Sequence, residues 1–175
     1  MKPFSVLSDF HFEHTKILTM ERDCFDTIEE HDEKVLATFK KALQADIFYF
    51  LGDFGLVSGD MFYKIKKMTD KYPCKKIMIR GNHDTQLLRQ SLVEYKVFDE
   101  IHDYPLWVSK RICLSHHPVA VYGNSLNIHG HLHGSVMGDE NHINANVHML
   151  GYEPLFSKDI VMPKSNETYK DFIKK

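Results

Sequence analysis

The stretch "IMIRGNHDTQ", Ile77 to Gln86, ends an alternating apolar run with a glycine, then an amide, an imidazole and a carboxylate: Asn82, His83 and Asp84. None of the three serves a core, and Gly81 forfeits strand propensity. Similar groups recur along the chain. "SDFHFEH" carries Asp9 and His11, "LGDF" carries Asp53, "LSHHP" carries His116 and His117, and "HGHLHG" carries His131 and His133. Carboxylates, imidazoles and one amide without thiolate form a mixed oxygen–nitrogen donor set. Such a set suits Mn²⁺, Fe or Zn²⁺ rather than Ca²⁺ or an iron–sulfur cluster. Asp9, His11, Asp53, Asn82, His116, His131 and His133 are too many for one ion. They divide between two ions if a carboxylate bridges, because only a carboxylate presents two anionic oxygens. Two ions ~3.5–4 Å apart are a standard clamp for phosphoryl transfer, and the expected nucleophile is a hydroxide held between them.

These residues need elements to carry them. "FSVLS" (Phe4 to Ser8), "IFYFL" (Ile47 to Leu51) and "KIMIR" (Lys76 to Arg80) read as strands. From Thr27 to Gln44, Ile28, Val35, Phe39 and Leu43 recur at helical spacing, with Thr27 and Glu30 as a capping box. Met61, Ile65 and Met68 mark a second helix, and "TQLLRQSL" a third. After Tyr95 the pattern changes: "LWVS", "RICLSH", "LNIHG" and "INANVHML" read as strands on short links, which predicts antiparallel hairpins. A βαβαβ half followed by a β-rich half makes an α/β domain with mixed sheets. Ligands bind outside the carboxyl ends of parallel strands, so the groups after the first three strands should converge. Gly52, Gly81 and Gly130 each precede a ligand group, where the chain turns sharply and approaches the ions. The terminal "SNETYKDFIKK" reads as a last helix or a frayed tail.

The chain has 175 residues, which predicts one domain over residues 1–175 with a full core. With 43% hydrophobic and 26% charged residues it falls in the ordinary globular class. The net charge of −2 offers no bulk attraction for nucleic acid, which as a partner is not indicated. Lys64, Lys66, Lys67, Lys71, Lys75 and Lys76 read as the solvated face of a helix and its exit loop. Cys24, Cys74 and Cys113 are odd in number and far apart, against a disulfide framework or a thiolate zinc site. The opening "MKPFSVLSDFHFEH" reaches charged residues too early for a signal peptide, and no apolar run approaches the ~20 residues of a membrane span. The expectation is a cytoplasmic protein with no membrane partner.

Taken in order, "DFH", "GD", "GNHD", "SHH" and "GHLH" over residues 9 to 133 resemble the calcineurin-like metallophosphoesterases. The family pattern is D-x-H, G-D, G-N-H-[DE], a lone H and G-H-x-H. "SDFHFEHTKIL" and "ADIFYFLGDF" resemble the small, uncapped bacterial and phage members, as do Asn146, Val147, Tyr152 and Pro154 in the closing segment. The resemblance implies two mixed β-sheets packed face to face and flanked by helices. It implies that Asp9, His11 and His133 hold one ion, that Asn82, His116 and His131 hold the other, and that Asp53 bridges. By the same resemblance His83 faces the substrate phosphate and Asp84 orients His83. "GDFGLVSGD" lacks the phosphate-gripping arginine of the phosphoprotein-phosphatase branch, which argues against protein phosphatase activity.

Some residues stay open at this stage. His116 and His117 compete for one ligand place, and His116 is preferred because it directly follows "ICLS". His14 reads equally as a neighbour of the ligands or a surface residue. Arg80, one step before the Gly81 turn, is left outside the site, and Cys113 reads as a core residue. The favoured function is a binuclear, metal-dependent phosphodiesterase acting on a small nucleotide-like substrate, with Mn²⁺ ahead of Fe or Zn²⁺. The alternatives are a phosphomonoesterase, a nuclease, or a metal-binding scaffold without catalysis. A scaffold needs the seven ligands but not His83 and Asp84.

Overall fold

Alternation along three short strands builds the fold. In β1 (Phe4–Leu7), β2 (Ile47–Phe50) and β3 (Lys75–Ile79), successive side chains serve two different cores. Phe4, Val6, Tyr49, Ile77 and Ile79 pack with Ile112, Leu114, Leu126 and Ile128 of a second sheet. Leu7, Phe48, Phe50 and Met78 point the other way, against Val35, Leu36, Phe39, Ile65 and Leu92 from helices. Period-2 alternation in strands makes this possible, and each such burial contributes on the order of 2 kcal/mol.

The computed structural model describes residues 2–164. The "SNETYKDFIKK" segment lies outside them. The remaining elements are α1 (Lys16–Met20), α2 (Ile28–Ala42), α3 (Gly59–Thr69), α4 (Gln86–Glu94), β4 (Glu100–His102), β5 (Leu106–Trp107), β6 (Ile112–Leu114), β7 (Leu126–His129), β8 (His142–Asn144) and β9 (Leu155–Phe156). The larger sheet has the order β4-β3-β2-β1-β9, parallel except for the β1–β9 edge. The smaller has the order β5-β6-β7-β8. The two mixed sheets and outer helices agree with the expected α/β fold.

The second half corrects the expected hairpins. Within the smaller sheet only β5–β6 is antiparallel, whereas β6, β7 and β8 run parallel. Residues 115–125 and 130–141 separate them, and these are not tight turns. Each spans about the dozen residues a parallel crossover needs, and each carries site histidines. "INANVHML" also stops being strand after Asn144. The strands β4 and β9 and the helix α1 were not expected; the first two are short and the third, "KILTM", is little more than a single turn.

The helix starts follow local chemistry. Thr27 caps α2 by accepting from the Glu30 N–H at 3.2 Å. The Glu30 carboxylate reaches the Asp26 N–H at 3.3 Å instead of returning to Thr27, so the expected box closes one residue early. Thr85 caps α4 in the same way.

Candidate metal centre

The site loops are anchored by their own phenylalanines. In "DFHF" and "GDF" the polar residues alternate with Phe10, Phe12 and Phe54, all fully buried. Phe10 packs on Phe50 at 4.4 Å between ring centroids, Phe12 on Phe54 at 5.4 Å and Phe54 on Phe98 at 5.7 Å. Sinking alternate residues into the core holds Asp9, His11 and Asp53 on the opposite side. Loops after β1, β2, β3, β6 and β7 meet here, all at carboxyl ends of strands.

Left-handed backbone is concentrated at this meeting point. Asp9 (φ 57°), His11 (50°), Asp53 (60°), His131 (67°) and His133 (40°) all have positive φ. Non-glycine residues rarely adopt it, and where they do the surroundings must hold them there. The loops after β2 and β3 also pass unusually close. A Cβ on Gly52 would lie 2.4 Å from the Gly81 nitrogen, and one on Gly81 would lie 2.2 Å from Asp53 Oδ1. Both positions therefore require glycine.

Seven expected ligands are brought together. His11 Nε2 lies 4.0 Å from Asp9 Oδ1 and 3.7 Å from Asp53 Oδ2, and His133 Nε2 lies 4.0 Å from Asp9 Oδ1. On the other side, His116 Nε2 is 3.5 Å from Asp53 Oδ2 and 2.7 Å from Asn82 Oδ1, which is 3.0 Å from His131 Nδ1. Asp53 Oδ2 thus faces both groups, while its Oδ1 accepts from the His83 N–H at 2.8 Å.

The donor set fits divalent cations. His11 Nε2 and Asp53 Oδ2 are buried without a hydrogen-bond partner, an arrangement that costs about 1–3 kcal/mol per group unless a ligand satisfies it. His116 Nδ1 donates to the Leu51 carbonyl at 2.7 Å, which leaves Nε2 its lone pair. That lone pair then faces another acceptor, Asn82 Oδ1, and a cation relieves the opposition. Burial drops the His11 imidazole to about 2 and His133 to about 4, with the Arg22 charge acting in the same direction. Both rings are therefore neutral at ordinary pH, as a metal ligand must be. Burial raises the Asp9 carboxyl from its ordinary 3.8 to about 7, opposed by the Ser8 hydroxyl and supported by the Asp53 charge. An incoming ion displaces that proton.

Sequence patterns such as these are matched by a family model for calcineurin-like phosphoesterases over residues 2–173. The chain belongs to the calcineurin-like phosphoesterase family. Members of this family are metal-dependent phosphoesterases, and the Asp9–His11–His133 and Asp9–Asp53–His116 groups could hold metal. A Methanocaldococcus jannaschii protein, the uncharacterized MJ1445, is 25% identical over 173 residues, covering 93% of this chain and 90% of its own length. The crystal structure of AQ665 from Aquifex aeolicus, a protein of unknown function, superposes with a TM-score of 0.70 at 30% identity. It covers 90% of this phosphoesterase and 96% of itself.

The phosphoesterase site departs from expectation at Asp84. Its carboxylate is buried and accepts from Phe54 N–H on one oxygen (2.9 Å) and from Asp53 (2.9 Å) and Gly81 (2.7 Å) on the other. It pins the loops after β2 and β3 together, so it is not the hydrogen-bond partner of His83. The two are adjacent in sequence, but Asp84 is buried and His83 exposed. His83 is exposed at the rim, with its ring 5.5 Å from that of His11 and 6.1 Å from that of His14.

His116 is buried inside the cluster, whereas His117 is exposed with its ring 4.0 Å from His131. His117 also lies within ligand range of His116 and His131. His14 Nδ1 sits 3.3 Å from His11 Nδ1. Arg80 turns away to Asp103 at 3.6 Å, as expected. Glu21 and Arg22 went unnoticed in the sequence, since "MERDCF" matches no spacing rule. Glu21 Oε2 lies 2.8 Å from His133 Nδ1.

Proposed function

We propose that this phosphoesterase is a binuclear hydrolase that prefers phosphodiesters of small, nucleotide-like alcohols. The carrying observation is that, among the described residues, no guanidinium faces into the site. Arg22 is buried behind it on Phe10, Arg80 and Arg89 reach Asp103, and Arg111 donates to the Asn124 carbonyl. A diester keeps one negative charge on phosphorus, which two ions can balance. A monoester dianion gains more from further cationic donors.

In this reading Asp9, His11 and His133 hold one ion, Asn82, His116 and His131 the other, and Asp53 serves both. Mn²⁺ is favoured, and Fe or Zn²⁺ also suit the donor set. When bound, such ions supply positive charge to the phosphoryl oxygens and lower the pKa of water. His83 stands where it can give a proton to the departing alkoxide, and its exposure at the rim supports that role. Asp84 acts beneath it by fixing the loops that carry Asp53 and Gly81. Residues 1–175 form a single domain in this reading, and the partner is a small phosphate ester. A cytoplasmic location is consistent with it, and among the described residues no helix is long and apolar enough to cross a membrane. A nucleic-acid groove is disfavoured because Lys66, Lys75 and Lys76 are taken up by Asp70, Glu100 and Asp99.

The test is turnover by Mn²⁺-loaded protein of a nitrophenyl diester, the matching monoester and cyclic nucleotides. The diester should lead in kcat/KM by about tenfold or more, a difference of about 1.4 kcal/mol in barrier, and chelator should abolish turnover. Faster monoester cleavage would overturn the preference. Two bound ions without turnover of any ester would mean a scaffold.

A further inference from the structure

Arg22 is a fully buried cation whose partners are neutral acceptors. Nη1 donates to the Phe10 carbonyl at 3.1 Å and to His31 Nε2, and Nη2 donates to the Asp9 carbonyl. Burying a charge costs several kcal/mol, and a methionine would fill the space without that cost. The donors themselves must matter here.

The backbone of the loop shows why. The N–H groups of Asp9, His11 and Phe12 donate to the carbonyls of Gly52, Asp53 and Phe54, at 2.9, 3.1 and 3.1 Å. The carbonyls of Asp9 and Phe10 turn the opposite way, into the interior. Among the described residues Arg22 is their hydrogen-bond partner. Left-handed backbone at Asp9, His11 and Glu13, with φ of 57°, 50° and 57°, costs on the order of 1–2 kcal/mol per residue. Such a loop does not hold itself.

A relay extends the grip to the far end of the loop. His31 Nδ1–H donates to Asp32 Oδ1 at 2.8 Å, which leaves Nε2 to accept from Arg22. Asp32 Oδ2 accepts the Glu13 N–H at 3.0 Å. One connected chain of side chains therefore clamps both the entry of the loop, at Asp9 and Phe10, and its exit, at Glu13.

We infer that Arg22, oriented by His31 and Asp32, is a positioning residue that holds Asp9 and His11 aimed at one of the two ions. The inference rests on the binuclear reading above. It concerns chiefly one ion, because Asn82, His116 and His131 hang on the loops after β3, β6 and β7, and the link across is the His131 N–H donating to Asp9 Oδ1 and Oδ2 at 3.2 and 3.1 Å.

The test is Mn²⁺ titration by calorimetry, with electron paramagnetic resonance to distinguish paired from single ions, on wild type, Arg22→Met, Arg22→Lys and Asp32→Asn. Metal-free melting is followed in parallel. Wild type should bind two ions. Both Arg22 variants should bind one ion with affinity lowered by about tenfold or more, as expected for lost outer partners of a metal ligand. The other ion should weaken clearly less, and the paired signal should give way to a single-ion signal at limiting Mn²⁺. Arg22→Lys keeps the charge but not the fork, so full recovery in it would overturn the inference. So would equal weakening of both ions, or unchanged binding in Arg22→Met. If the Arg22 variants do not fold, the milder Asp32→Asn decides: weakening chiefly of one ion supports the inference, and equal weakening of both or wild-type affinity for both overturns it. A wild type that takes up fewer than two ions refutes the binuclear reading and this inference with it.

Discussion

Gly81→Ala should damage the site without adding any charge or polarity. The new methyl would stand 2.2 Å from Asp53 Oδ1 and 2.4 Å from the Asp53 nitrogen, against about 3.4 Å for ordinary contact. Gly81 does not have a positive φ, so the conflict is one of space alone. Backbone cannot swing aside as a side-chain tip does, so the loops after β2 and β3 must part by about 1 Å. That movement strains the Asp84 bond to the Gly81 N–H at 2.7 Å and the Asp53 bond to the His83 N–H at 2.8 Å. Hydrogen bonds to charged groups are worth about 1.5–3 kcal/mol each, so losing two costs roughly 3–6 kcal/mol. For a chain of this size the melting temperature should fall by roughly 10 °C. Gly134→Ala is the control, because its Cβ would meet nothing within 4 Å. It should change stability by less than about 0.5 kcal/mol. Calorimetric melting and Mn²⁺ stoichiometry read both effects, and Gly81→Ala should bind both ions more weakly because Asp53 faces both. If Gly81→Ala melts with the control and binds two ions normally, the close approach of the loops does not position Asp53.

Two further outcomes follow from the site. Burial raises Asp9 from 3.8 to about 7, so its protonated form favours the fold at low pH, and that contribution is lost as pH rises through about 7. In chelator, Asp9→Asn should therefore gain on wild type by roughly 4 kcal/mol between pH 4 and pH 8, at about 1.4 kcal/mol per pH unit. Saturating Mn²⁺ should reverse the order. Denaturant melts at several pH values check this, and a gap that does not widen with pH refutes it. His83→Ala should keep both ions and lose turnover mainly on esters with alkoxide leaving groups, sparing nitrophenyl esters. Equal loss on both, with metals bound, would assign His83 to charge on the phosphate instead.

Much of the first half was legible because local chemistry and tertiary packing agree there. Thr27 capped the helix that Val35 and Phe39 predicted, and the Phe4, Ile47 and Lys76 runs became parallel strands. The links after Leu114 and His129 misled because their polar residues look like turns. In the fold they are crossovers, and a crossover is defined by where the chain returns. β4 and β9 escaped notice because strands this short carry no period of their own and exist through their neighbours.

For the site, the sequence alone determined the residue types. Ligand chemistry requires particular side chains, and glycine is required where backbones nearly touch, so both leave marks at fixed spacing. Tertiary structure decided which atoms face one another. It set Asp53 Oδ2 between His11 and His116, turned Asp84 from His83 toward three backbone N–H groups, and buried His116 while leaving His117 exposed. It also brought Glu21 to His133 and Arg22 to Asp9 and Phe10. Arg22 satisfies backbone carbonyls from another part of the chain, and such partners are chosen by geometry, which no local pattern records.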